Sequence, residues 1–247
     1  MNRAAAPATK ERVPLRIGLA LLACLAGPLA SAAPPHADEV TPSTQADRAE
    51  SARRRTELAT FKKLLEDEHA RPAGARIPDP VDAAGHRLIV LVKTSERAIR
   101  RVDGFDHALF VRSTFALVLD AQGRLRFLVI EPEDAAHQAY EIDAYLFDLD
   151  GRTVARDHTY GTSLDCADGR LHERRIVTTF RPNLRVISRA VEFANDFGSA
   201  PLLEGCALHS AGAPLPDAPS LLRAHGLEPA AAAAGVRLAP GTEVRRE

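Results

Sequence analysis

Two histidines stand beside acids, in the dipeptides Asp157-His158 and His172-Glu173. Imidazole and carboxylate together can ligate zinc or carry protons in acid–base catalysis. If their strands are adjacent, His158 and His172 approach each other. Chain neighbours in a strand point to opposite faces, however, and that breaks up the four-residue constellation. Both histidines are therefore expected as ordinary surface residues. A hydrolase whose site assembles only in three dimensions is kept as an alternative, and it requires a carboxylate within hydrogen-bond reach of His158 or His172.

Glu141 and Asp143 form a second polar pair, two residues apart, with Tyr145 beyond. On a strand both carboxylates project from one face and can divide acid and base roles if their surroundings differ. The expectation here is a solvent-facing polar edge of an amphipathic strand. Asp148, Asp150 and Gly151 are similar to part of a calcium loop, but the glycine comes too early, and a hairpin turn accounts for them. No nucleophile elbow, H-E-x-x-H pair, Walker loop or dinucleotide fingerprint occurs. No catalytic residue, metal site or cofactor is expected.

The elements that position these residues follow from periodicity. From His86 to about Ala194 the apolar pattern has period two. Leu88–Val92 is a continuous apolar run. Ala108–Leu119 alternates, turns at Asp120-Ala121-Gln122-Gly123 and returns through Leu125, Phe127 and Val129. Tyr140–Leu146, Thr153–Asp157, Arg174–Phe180 and Leu184–Ala194 complete six or seven strands joined by short turns. The fold class is mainly β (α+β): an antiparallel β-sandwich or curved meander sheet with one N-terminal helix.

That helix begins near Thr41-Pro42 or at Thr44, where Asp47 three residues on completes a capping box. Glu50–Arg54, Lys62–Glu66 and Lys63–Asp67 are spaced four apart for ion pairs. Apolar residues gather late, at Leu58, Phe61, Leu64 and Leu65. The first half is thus expected in solvent, and Arg53-Arg54-Arg55 as a solvated face.

The first 32 residues carry four cations and one anion, then the apolar run Ile17–Ala26, then Ala30-Ser31-Ala32. This is the order of a secretory signal peptide. Leu21-Leu22-Ala23-Cys24 resembles a bacterial lipobox, so lipidation at Cys24, and a membrane-anchored lipoprotein, is the alternative to ordinary cleavage. Either way no transmembrane span is expected after processing. Cys166 and Cys206 then remain, and in an oxidising compartment an even count points to a disulfide.

The domain organisation is 1–32 signal peptide, 33–40 flexible linker, 41–84 charged helix and connection, 85–210 β-rich domain, and 211–247 a Pro/Ala-rich tail expected to be loosely packed. The formal net charge is −1. Removing 1–32 takes away Arg3, Lys10, Arg12, Arg16 and Glu11, a net +3, and leaves −4. Such a balance lacks the positive field that attracts nucleic acid. The functional expectation is an exported, periplasmic or secreted envelope protein with a non-catalytic binding or accessory β-domain, whose partner is another envelope protein. An inhibitor or immunity-type protein, acting through Glu131–Gln138 or Tyr160–Arg170, is a further alternative.

Overall fold

The structure is a computed structural model, and it describes residues 39–72, 79–94, 98–102, 111–132, 139–163, 166, 169–195, 198–199 and 212–238. One helix, α1 (Gln45–His69), precedes nine strands: β1 (Arg87–Thr94), β2 (Ile99–Val102), β3 (Val111–Leu119), β4 (Leu125–Pro132), β5 (Ala139–Phe147), β6 (Thr153–Thr162), β7 (His172–Phe180), β8 (Val186–Asn195) and β9 (Gly198–Ser199). Two short helices follow, α2 (Ala218–His225) and α3 (Glu228–Ala233). The strands form one sheet in the order β2-β1-β3-β4-β5-β6-β7-β8-β9, every pairing antiparallel. The mainly β expectation holds. β2 and β9, with four and two residues, are too short to show a period and were not foreseen.

The turns follow from aspartate chemistry. At Asp120–Gly123 and Asp148–Gly151 one aspartate Oδ1 accepts the N–H groups of the residues two and four ahead, at 2.8 to 3.0 Å. The glycines take φ of +80° and +78°, which a Cβ disfavours. Asp148 and Asp150 belong to this turn.

Each face of the sheet carries its own apolar cluster. On one face Leu58 and Phe61 of α1 pack on Leu88, Val90, Val118, Phe127 and Leu146. On the other, Leu221, Leu222, Leu227 and Ala231 of the C-terminal segment pack on Ile89, Leu91, Phe115, Leu117, Leu128 and Phe147. The tail over 212–238 is therefore part of the core, contrary to the loose packing expected for it. Pro219 and Pro229 sit in the first turns of α2 and α3. Asp217 caps α2 through Ser220 N–H at 2.8 Å, and Gly226 ends the helix in the left-handed region.

Thr44 caps α1 as foreseen, accepting from Asp47 N–H at 3.0 Å. The solvated first half is a second correction. Asp47, Ser51, Arg54, Leu58, Phe61 and Glu68 are all buried, alternating four and three apart down one stripe until Phe61. Upper contacts are polar: Ser51, Ser188 and Thr179 share hydroxyl hydrogen bonds of 2.6 to 3.3 Å, and Arg55 donates to Ser188 at 3.2 Å. Arg54 pairs with Glu50 at 2.6 Å and donates to the Val154 carbonyl. A docking stripe written in polar residues leaves no apolar period to read.

Candidate functional site

Register decides which polar groups meet. A row of paired residues crosses seven strands: Leu91, Phe115, Ile130, Asp143, His158, Ile176 and Val191. Asp143 and His158 are the polar pair within an apolar row, on the face that carries α2 and α3. Both were expected at the surface. Instead the His158 side chain is 3% exposed and that of Asp143 17%. The physical reason is that both faces of this sheet are covered, so an alternating pattern does not mark a wet side.

His158 Nδ1 lies 3.1 Å from Asp143 Oδ1 and 3.7 Å from Glu141 Oε1. Arg156, one row along, grips Asp143 with two bonds, Nε to Oδ1 at 2.6 Å and Nη2 to Oδ2 at 2.8 Å. Its third nitrogen donates to the Gly212 carbonyl, so the cluster is tied to the chain entering α2. The guanidinium also lies over the Tyr145 ring, 5.4 Å from its centroid. Burial opposes charge on Asp143, but the hydrogen bonds from His158 and Arg156 and the adjacent cation outweigh it and hold the carboxyl below its ordinary value. Burial, reinforced by the Asp143 charge, pushes the Tyr145 phenol up to about 12. His158 Nε2 is buried without a hydrogen-bond partner.

The structure thus brings His158, read apart, to the Glu141–Asp143 pair. The parting of strand neighbours to opposite faces is as expected. Asp157 and Glu173 face α1, opposite the histidines. His172 shares the His158 face but pairs with Thr162, four residues from the Ile176 row, about 13 Å away along β7. His172 too is buried, at 4% exposure, where a surface position was expected.

The α1 face has its own charged cluster. Asp157, whose side chain is fully buried, receives Lys62 from α1 and a bidentate Arg175, with Nη2 at 2.7 Å and Nε at 3.0 Å. Burial again opposes ionisation, and the Lys62 and Arg175 cations again win, leaving the carboxyl below its ordinary value. Lys62 was expected to pair with Glu66 within the helix. It crosses to the sheet because the fully buried Asp157 carboxylate needs a countercharge more than the partly buried Glu66 does.

Farther along, Tyr140, Gly161 and Glu173 are register partners on three strands. The Tyr140 ring lies over Gly161 and its hydroxyl donates to Glu173. A Cβ at Gly161 would strike that ring. Gly161→Ala should therefore cost about 1–3 kcal/mol by overpacking. A urea melt showing no loss would mean the ring moves aside freely.

Comparison of the chain with family models, with curated proteins and with solved structures finds no match. Among the described residues no helix is long and apolar enough to cross a membrane. Residues 1–38, including Cys24 and the stretch expected to direct export, lie outside the described residues, as does Cys206. So do most of Glu131–Gln138 and part of Tyr160–Arg170.

Proposed function

We propose that the chain is an exported envelope protein, periplasmic or secreted, whose β-domain binds another envelope protein along the β8 edge. The lipoprotein anchored through Cys24 is the alternative form of the same reading. One observation carries the binding mode. Val40 and Arg189 exchange both backbone hydrogen bonds, at 3.0 and 2.9 Å, so the Arg189 backbone points away from β7. The backbone groups of Ile187 and Val191, two residues either side, point the same way, and no described segment pairs with them. Once the Val40 bridge gives way, such an edge is a template for an added strand.

The export reading is supported by the order of charge, apolar run and small residues in 1–32. The Cys166–Cys206 bridge belongs to this proposal. What supports it is the even count of cysteines left after processing and the burial of Cys166.

Photo-crosslinking from position 189 in intact cells tests the edge. A single specific adduct is expected in the wild-type background. Val191→Pro, which removes an outward N–H, should abolish the adduct, and Val191→Ala, which keeps the N–H and trims the side chain, should retain it. Equal adducts in both variants would refute edge pairing. A hydrolase is the second reading, favoured by the Asp143–His158 contact of 3.1 Å. It requires a hydrolytic activity that His158→Ala removes.

A further inference from the structure

We propose that Glu141, Asp143 and His158 form a binding site for one divalent transition-metal ion of the zinc class. The three side chains offer one nitrogen and two carboxylate oxygens, all within 4.8 Å of one another. A tetrahedral zinc ion with ligands about 2.0–2.2 Å away holds them about 3.3–3.6 Å apart. The Nδ1–Oδ1 and Nδ1–Oε1 separations, 3.1 and 3.7 Å, bracket that spacing. Only a small swing of Glu141 is needed to close the third edge. Glu141 is free to make it, because its side chain is 49% exposed while its two partners are held.

The buried histidine is the independent indication. Its ring is fixed in an apolar row and aimed between the two carboxylates. Nothing hydrogen-bonds to Nε2. In the hydrogen bond to the ionised Asp143 the proton sits on Nδ1; a cation that takes the Nδ1 lone pair moves the proton to Nε2. The hydrogen bond to Asp143 is then exchanged for two metal bonds, and no other protein contact of the ring is lost.

Arg156 supplies the outer support that metal sites commonly use. It grips both oxygens of Asp143, sharing Oδ1 with His158, and so orients the carboxylate and keeps it ionised. Two carboxylates and one guanidinium leave the cluster with a net negative charge, which favours a divalent cation. A nitrogen ligand favours zinc, nickel or copper over calcium or magnesium. Three protein ligands leave a fourth position on the Glu141 side, where the site reaches solvent. This inference does not depend on the β8-edge reading, since it concerns residues on another part of the sheet.

The test is titration of the purified protein with Zn2+ by calorimetry and with Co2+ by visible absorption. One saturable equivalent and the absorption of a low-coordinate Co2+ centre are expected. His158→Gln should weaken binding at least about 100-fold, and Arg156→Gln about 10–100-fold, the usual effect of losing an outer-shell partner. Glu141→Gln, at an exposed side chain, tests the site without threatening the fold and should weaken binding at least about 10-fold. Asp67→Asn, an exposed acid on α1, should change nothing. The proposal is overturned if the wild type shows no saturable equivalent. It is equally overturned if Glu141→Gln binds like the wild type, or if Ca2+ or Mg2+ competes on equal terms.

Discussion

Deleting residues 212–247 is expected to abolish cooperative folding. A loosely packed tail could be removed at no cost. Here the segment delivers Ala218, Leu221, Leu222, Leu227, Ala231 and Ala234 to one apolar cluster, all 5% exposed or less. Each large side chain buried there contributes about 1.5–3 kcal/mol. Their removal would also bare Ile89, Leu117 and Leu128 to water. Loss of three leucines and their sheet-side contacts therefore approaches the whole stability of an ordinary domain, about 5–15 kcal/mol. The truncated chain should aggregate, or bind a hydrophobic dye, and show no sigmoidal urea transition. A graded variant keeps the test readable. Leu222→Ala, at a fully buried position, should lower stability by about 2–5 kcal/mol with the transition intact. A soluble truncation with a wild-type midpoint would show that the two helices lie on the sheet without stabilising it.

The second large effect is at Asp157. Asp157→Asn should destabilise the protein by about 3 kcal/mol at neutral pH, the lower end of what breaking a buried ion pair costs. The lower end applies because Lys62 and Arg175 are 23% and 18% exposed and keep some water when the carboxylate is gone. Lys62→Met should cost less, since Arg175 still holds Asp157 with two nitrogens. The pH dependence has a definite sign. The folded Asp157 carboxyl lies below its ordinary 3.8, so its stabilisation is fully present above that value. It is lost as pH falls through the depressed folded value. Wild type and Asp157→Asn should therefore differ most above pH 4, and their urea midpoints should converge in stronger acid. A constant gap down to the acid limit would mean that the mutation acts through packing and not through charge.

Much of the fold was legible in the chain. β1 announces itself by a continuous apolar run, β3 to β5 by alternation, and the Asp-x-x-Gly turns by composition, while β6 runs on to Thr162 past the Thr153–Asp157 stretch read as strand. Thr44 and Asp47 mark the start of α1. Half of the α1 contact was hidden, because Ser51 and Arg54 dock by hydrogen bonds and not by apolar surface. The candidate site was legible as residue types and illegible as a group. Glu141 and Asp143 could be paired from their spacing of two. His158 lies fifteen residues past Asp143, and only the β5–β6 register brings it opposite.

The sequence by itself determined the local elements: which stretches extend, where they turn, and that Asp157 and His158 must part to opposite faces. Those are properties of neighbouring residues, set by backbone sterics and side-chain alternation. Tertiary structure decided what covers each face. Whether a carboxylate is wet or buried depends on α1 and on the α2–α3 segment, which are distant in the chain. That burial makes Asp157 an anchor for a helix. On the other face it gathers Glu141, Asp143 and His158 into a cluster able to hold a cation.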